Sequence, residues 1–528
     1  MKTNYLKSFI CVAATLYIAG CTDLDVTVKS QYTSYPNSED AIEAALASTF
    51  YSLRGSIGRS LHVTQTLSSD EAVSVSMDGD YTDSYRWMGP TVHDFRSSNE
   101  DLGTIWSEAT AGITNCNTAL TLLNDDESDG AAQVRAARAY YNFVLMDCFG
   151  DIPILNRETP DQPERSSRAD VARYIETELT AVLDKLPDTI DETTYGKPTR
   201  YMAEALLAKL YLNWAVYTAN DAQAYDASTA TNEKLDGLIK VCDDIITSGK
   251  FDLSDSYKSK FLPNNGSQIK DFIYAMPFDR DNQKGMVYAR WWTHRSAQKD
   301  FYGTDLSKSV GGNFRLNPEF VNKFCLEGDD RNETIIGGKL YIRDPKTYEE
   351  TTTPWTVDNA QVELTKEIKL TDTSSLNVGN DLNGRSQGYR SIKFYMDLES
   401  TDRNQSNDVP IFRYADILLM KAEAILRGAS ATNGDTPTSL MNQIRNYVHA
   451  PKVTASPTLD ELLEERAREF ADESWRRNDL IRFGKFEDNW GFKRYHPKGN
   501  PTSKHYRIFP LPDSALETNT NWSQNSGY

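Results

Sequence analysis

The sequence predicts a mainly α-helical protein, in which helical hairpins form a scaffold and a loop-rich irregular insertion carries short strands. Three observations predict this. Apolar residues recur at helical spacing in many separate stretches, as in Ala203, Leu207, Leu210, Trp214 and Tyr217. Capping and breaking residues bound those stretches. One long stretch, 251–410, instead has few periodic runs and is rich in Gly, Asn, Asp, Thr and Pro.

In chain order, Ser38 reads as the N-cap of a helix over Asp40–Leu53, stopped by Gly55. Leu102–Leu123 follows, then Ala131–Phe149, which ends at Gly150 with Pro153 beyond. Arg168–Leu186 runs to Pro187, Thr199–Tyr217 carries the stripe above, and Leu235–Ser248 stops at Gly249. After the insertion, Tyr414–Arg427 places Ala415, Leu418, Leu419, Ala422 and Ile425 on one face and stops at Gly428. Thr438–Tyr447 and Leu459–Phe470 complete the set. Small residues sit where a second helix would pack closely. Ala139 with Phe143 and Pro153 is similar to the second helix of a tetratricopeptide unit. No repeat of about 34 residues runs through the chain, so the expectation is tetratricopeptide-like hairpins interrupted by insertions, not a regular solenoid.

The formal charge of the 528 residues is 57 − 76 = −19. An acidic chain repels phosphate backbones, which argues against nucleic acid as a partner and against direct docking on anionic lipid. A neutral ligand suits it. Aromatics reach 11%, with 28 Tyr and 9 Trp, a surplus that often serves contact surfaces. None of the six cysteines has CxxC spacing, so neither a zinc site nor a redox pair is indicated.

The amino terminus points to export. Lys2 and Lys7 form a positive region, and Phe9–Ile18 is apolar but too short to span a membrane. Ile18-Ala19-Gly20-Cys21 resembles a bacterial lipobox, with Ile18 where Leu is usual; Cys21 would then be the lipidated mature terminus. The expected organisation is a signal peptide over 1–20, a lipidated tether over 21–37, a helical region over 38–250, the insertion over 251–410 and a helical region over 411–528.

Two groups of residues carry a family resemblance. The first is Arg138-Ala139-Tyr140-Tyr141-Asn142-Phe143, followed by Phe149-Gly150-Asp151-Ile152-Pro153. The second is Glu465-Arg466-Ala467-Arg468-Glu469-Phe470-Ala471-Asp472-Glu473, followed by Arg476, Asp479-Leu480, Arg482 and Gly484-Lys485. With Phe412-Arg413-Tyr414-Ala415-Asp416 and the closing Gln524-Asn525-Ser526-Gly527-Tyr528, they resemble the SusD/RagB family. Ser474, Arg477 and Ser526 depart from the family's usual Gly, aromatic and Pro. The resemblance implies a surface-exposed lipoprotein of the outer membrane that sits over a SusC-type TonB-dependent transporter and closes on it as a lid. The implied ligand is an oligosaccharide, alternatively a peptide. Arg466, Glu469, Arg476 and Asp479 are spaced to pair at close range, which reads as scaffold. The sequence has no HExxH, GxSxG, GxGxxG or Walker loop, so a binding protein without cofactor is expected, and no enzyme.

A glycan binder needs aromatic faces beside amides, carboxylates or guanidinium groups. Two stretches offer both. One runs over Ser69–Arg96 and supplies Asp70, Tyr81, Asp83, Tyr85, Arg86 and Trp87 as candidate ligand residues. The other runs over Tyr288–Tyr302 and supplies Arg290, Trp291, Trp292 and Tyr302. Trp355, in a polar loop, is a weaker candidate. On this reading, replacing Trp291 and Trp292 by Ala weakens glycan binding and leaves the fold intact. Asp78, Asp80 and Asp83 lack the spacing of an EF-hand and read as solvated turn carboxylates, with no metal assigned. For the anchor, Cys21→Ala is expected to abolish palmitate labelling and release the protein from the membrane fraction; a mutant that still labels and sediments with membrane would refute the lipobox.

Overall fold

The computed structural model describes residues 39–528 apart from 80–84, 125–126, 157–158 and 160–161, with 39–44 as backbone only. The first helices are α1 (Glu39–Phe50) and α2 (Leu61–Leu67), the latter entered through a wide turn over Ser56–Ser60. Strand β1 (Ala72–Ser74) and helix α3 (Met88–Val92) lead into the long helices α4 (Glu100–Leu123) and α5 (Asp129–Phe149). Then come α6 (Arg168–Val182), α7 (Arg200–Leu212) and α8 (Leu235–Thr247).

Local chemistry sets these boundaries. The Asn99 side chain accepts from the Asp101 and Leu102 amides, and Ser128, Ser167 and Thr199 cap α5, α6 and α7 in the same way. At the other end of α5, Gly150 takes φ +78°, a conformation glycine adopts without strain. The expected helix Thr199–Tyr217 is broken. Asn213 turns its amide back onto the Lys209 carbonyl at 2.9 Å and accepts from Arg482 at 3.1 Å, and only a single turn over Trp214–Tyr217 follows.

Between 251 and 410 the regular elements are short. Strand β2 (Phe272–Met276) precedes α9 (Tyr288–Trp292) and β3 (Phe314–Leu316), and β4 (Val409–Arg413) closes the stretch. Strands β2 and β4 pair antiparallel, Phe272 with Arg413 and Met276 with Val409, so the two ends of the insertion are stitched together. Strand β3 leaves the insertion to pair with β1, Phe314 opposite Ser74. Every sheet among the described residues has two strands, which suits an insertion held by loops and side chains more than by ladders. The carboxy-terminal region returns to helix with α10 (Tyr414–Leu426), α11 (Pro437–Tyr447), α12 (Leu459–Phe470), α13 (Arg476–Arg482) and α14 (Asp513–Thr518). Thr458 and Glu461 form a reciprocal capping box at the start of α12.

Helices α4 and α5 approach closely because residue 112 is glycine: a Cβ there would lie 2.7 Å from the Tyr141 ring. Arg138, from the first family motif, donates to Asn117 on α4 and Glu178 on α6, both at 2.7 Å, and so ties three helices. The second motif is buried as charge. Arg466 on α12 donates to Asp416 on α10 at 2.7 Å and Asp479 on α13 at 2.8 Å, and Lys209 on α7 reaches Asp416 at 2.5 Å. Arg482 joins Asp479 to Glu423. A second cluster links Lys260 and Arg413 through Asp271, and Arg413 to Glu469 and Glu473. Burial alone would raise the Asp271 carboxyl, but Lys260 and Arg413 overcome it and hold the group at about 2. Asp271 therefore stays ionised inside the protein. Arg466→Met is expected to lower stability to urea by roughly 3–5 kcal/mol, since Asp416 and Asp479 lose a buried partner; a loss below about 1 kcal/mol would show that solvent reaches the cluster.

Candidate functional site

The structure brings the two aromatic-rich stretches together, though as core. The Trp87 and Trp291 rings meet edge-on at 5.8 Å, and both pack on Phe314, at 5.6 and 5.2 Å. Trp292 packs edge-on against the same ring at 5.6 Å and donates its indole N–H to Asp472 at 3.1 Å. Tyr302 is buried with its hydroxyl 3.3 Å from the Thr293 hydroxyl, and Trp355 is buried with its N–H on the Lys299 carbonyl at 3.1 Å. The expectation that Trp87, Trp291, Trp292 and Tyr302 present open faces to a sugar is thus corrected: at 7% exposure or less, protein neighbours occupy those faces. The reason is the β1–β3 pairing, which carries Phe314 from the insertion into the space between the two stretches. Arg290 is also buried, donating to the Lys308 and Ser309 carbonyls, and Asp70 takes a two-pronged bond from Arg476 at 2.7 and 2.8 Å. Tyr81 and Asp83, like Asp80 and Cys21, lie outside the described residues. Asp78 accepts from the Asn377 side chain and the Asn380 amide, each at 3.0 Å.

Tyr85 and Arg86 have a different setting. They line a surface pocket of about 100 Å³ together with Asp94, Arg96, Ser98 and Asn99. Its floor is fixed by Arg86, whose Nε and Nη2 donate to Asp101 at 2.7 and 2.6 Å and whose Nη1 donates to Glu100 at 2.6 Å. Ser60 donates to the same Asp101 carboxylate at 2.7 Å, anchoring the floor to the helical scaffold. Asn99 does two jobs: its Oδ1 caps α4 and its Nδ2 donates to the Arg86 carbonyl at 2.8 Å. Above the floor, the Arg96 guanidinium lies 3.7 Å from the centre of the half-buried Tyr85 ring and is held by Asp94 at 2.9 Å. Burial, with Asp94 nearby, pushes the Tyr85 phenol well above its usual range, so it stays a neutral hydroxyl. The pocket thus offers guanidinium, carboxylate, amide and hydroxyl groups around one aromatic ring, a set able to hold a polyhydroxylated molecule by paired hydrogen bonds.

A sequence profile described as "SusD family" matches residues 270–528, and one described as "Starch-binding associating with outer membrane" matches residues 24–212. The chain belongs to the SusD/RagB family. It is 25% identical to the starch-binding protein SusD of Bacteroides thetaiotaomicron over 75% of this chain and 72% of that one. It is 24% identical to the SusD-like protein P2 of Formosa agariphila over 99% of this chain and 100% of that one. Among solved structures, surface glycan-binding protein A of Bacteroides thetaiotaomicron in complex with laminarihexaose superposes with a TM-score of 0.66 at 20% identity, covering 92% of this chain and 99% of that one. The SusD/RagB motifs found in the sequence build the buried ionic clusters, and none of their charged residues lines the Tyr85 pocket. No helix among the described residues is long and apolar enough to cross a membrane.

Of the pocket residues the sequence singles out Tyr85 and Arg86, and not Asp94, Arg96, Asn99 or Glu100. The signal for Asn99 was present: an N-cap residue directly before the acidic first turn Glu100-Asp101. The corrected view of this SusD-type core changes what the double tryptophan variant should do. Trp292→Ala alone is expected to cost about 3–5 kcal/mol of stability, read from thermal or urea unfolding; an unchanged midpoint would show the ring to be dispensable to packing.

Proposed function

We propose that this protein captures a neutral oligosaccharide at the pocket around Tyr85 and Arg96 and hands it to a SusC-type TonB-dependent transporter. In this reading it acts from the cell surface, tethered to the outer membrane through a lipid on Cys21, and binds without cleaving. The observation that carries the proposal is the Arg96 guanidinium stacked at 3.7 Å over a half-buried tyrosine, beside a carboxylate and an amide that the helix cap holds still. Sugar rings carry a rim of hydroxyls, which the guanidinium, carboxylate and phenol groups of this pocket can pair with. The relatives named above give support: one is a starch-binding protein and another was solved in complex with laminarihexaose. The profile over residues 24–212 supports the outer-membrane location.

The pocket lies at the start of α4, and its lining includes none of the residues of the buried ionic clusters. A rigid floor with one open side lowers the entropy cost of capture.

The test is calorimetric titration of plant, host and microbial oligosaccharides into the unlipidated protein, residues Thr22–Tyr528. The best neutral ligand is expected to bind without releasing reducing sugar, and Arg96→Ala or Tyr85→Ala to weaken it about tenfold, the effect of losing roughly 1.4 kcal/mol of stacking and hydrogen bonding. Affinity unchanged in both variants would move the site away from this pocket. Binding of peptides alone, with silence across the sugars, would replace the glycan reading by the peptide one.

A further inference from the structure

The start of helix α6 carries a buried charge that the fold itself does not use. Arg168 is the first residue of α6, and its backbone N–H is taken by the Asp151 carboxylate at 2.8 Å. Its side chain is a different matter. The residue is only 5% exposed, yet its guanidinium makes no hydrogen bond and no ion pair among the described residues. The guanidinium carbon lies 4.8 Å over the Tyr217 ring, a contact that orients the group without using its N–H donors. Burial pulls its pKa down from the usual arginine value, while Tyr217, Asp147 and Asp151 act the other way. Arg138, Arg413, Arg466 and Arg482, by contrast, are each met by carboxylates. A buried cation without such a partner is costly, and an anion that reaches it offsets the cost.

Arg168 lines a cavity of about 310 Å³. The wall comes from the end of α5, the start of α6, the loop at 221–223, and the chain at 505–508 and 523–526. The Ser166 amide donates to the Ile152 carbonyl at 2.9 Å, which sets the first two of these side by side. The other ionisable side chains of the lining already have partners. Arg165 donates to the Asn525 side chain at 2.8 Å and to the Ser523 carbonyl at 3.2 Å. Asp221 accepts from the Gln223 and Ala224 amides of its own turn at 2.7 and 2.8 Å. His505 is fixed to the Ser503 hydroxyl through Nδ1 at 2.6 Å, and burial lowers its pKa, so it enters as a neutral group at neutral pH. Among the described lining residues, Arg168 is the cation whose donors stay open. Around it, the side chains of Gln223, Ser523 and Ser526 make no hydrogen bond to other described residues and can pair with hydroxyl groups.

A guanidinium presents parallel N–H groups that match the two oxygens of an oxyanion. The first turn of the 15-residue helix α6 adds the positive end of its dipole. The Asp151 and Asp221 carboxylates in the lining set an upper limit on ligand charge, since they repel a doubly charged phosphate more than a singly charged group. The volume lies at the lower end of the range for small-molecule sites, about 300–1,000 Å³. We propose that the cavity at the start of α6 is a second binding site, in which Arg168 receives a singly charged oxyanion carried by a hydroxylated molecule, either the carboxylate of a sugar acid or the sulfate ester of a sugar. This site shares no lining residue with the Tyr85 pocket, so it stands independently of the reading given there. The net charge of −19 does not attract such a ligand from a distance, and recognition is therefore local.

The experiment titrates glucuronate, glucose 6-sulfate, glucose and inorganic sulfate into the unlipidated protein, followed by calorimetry. At least one of the two acidic sugars is expected to bind about tenfold more tightly than glucose and than inorganic sulfate. Binding of glucuronate alone assigns the carboxylate, and of glucose 6-sulfate alone the sulfate ester. Arg168→Gln should bring the acidic sugar down to the level of glucose, and Arg168→Lys should keep part of the preference. Because Arg168 is buried at a helix start, Ser526→Asp provides a second reading at an exposed position: it adds a like charge at the rim and should weaken the acidic sugar while leaving glucose unchanged. Should Arg168→Gln fail to fold, Ser526→Asp decides, and unchanged affinity there overturns the site. A preference that survives both variants overturns it as well. So does a wild type that binds neither acidic sugar, and one that binds inorganic sulfate as tightly as either overturns the assignment to a sugar. Affinity for the best neutral oligosaccharide is expected to stay the same in both variants, which separates failure of this site from failure of the Tyr85 pocket.

Discussion

Glu469 receives hydrogen bonds from Arg413 at 2.8 Å, Arg331 at 3.1 Å and the Tyr447 hydroxyl at 2.5 Å, and it has no solvent exposure. Around it and the neighbouring Asp416–Arg466–Asp479 cluster, parts of the chain more than a hundred residues apart are held by charge. Lys209 comes from the first helical region, Asp271 and Arg331 from the insertion, and Arg466 from the last. Removing such ions from water costs several kcal/mol each, and only complete pairing offsets it. The constraint is therefore geometric. The insertion can fold onto the helices in one register, because any other leaves a buried charge without its partner. With only two-stranded sheets among the described residues, this network fixes how loops meet helices where a long ladder would in other folds.

That constraint explains what was legible in the sequence. Helix positions were, because periodicity and caps are local: Leu459–Phe470 and the end of Ala131–Phe149 at Gly150 are found where expected. The charged motif around Arg466 was legible as scaffold, yet only one of its bonds, Arg466 to Asp479, links the residues whose spacing drew attention. Glu469 and Arg476 find Arg413 and Asp70, 56 and 406 residues away. A linear pattern shows that charges need partners and says nothing of which distant carboxylate the fold delivers.

The exposure of the candidate binding residues was not legible for a related reason. A stretch with tyrosine, tryptophan and arginine in a loop has the same composition whether its rings face water or each other. Burial of Trp87, Trp291 and Trp292 is decided by Phe314, and Phe314 arrives through a strand pairing that joins Ala72 to Leu316, 244 residues further on, and that no local signal announces. Tyr85 escapes because it precedes the turn into α3 and its ring is shared with Arg96, which lies beyond that helix. The surplus of aromatic residues is thus largely absorbed by an interior, and only a small part of it remains at the surface.

What remains at the surface is placed by the helix cap. If Asn99 were a poor cap, α4 would begin later, and the Arg86 carbonyl and the Asp101 carboxylate would lose their fixed relation. The same side chain that starts the helix therefore shapes the pocket, and no separate device is needed to hold it open. Preorganisation of this kind matters most for a ligand whose individual contacts are weak, because flexibility in the pocket would subtract from each of them. Arg86 bridges Glu100 and Asp101 at the start of α4, and Arg96 pairs with Asp94.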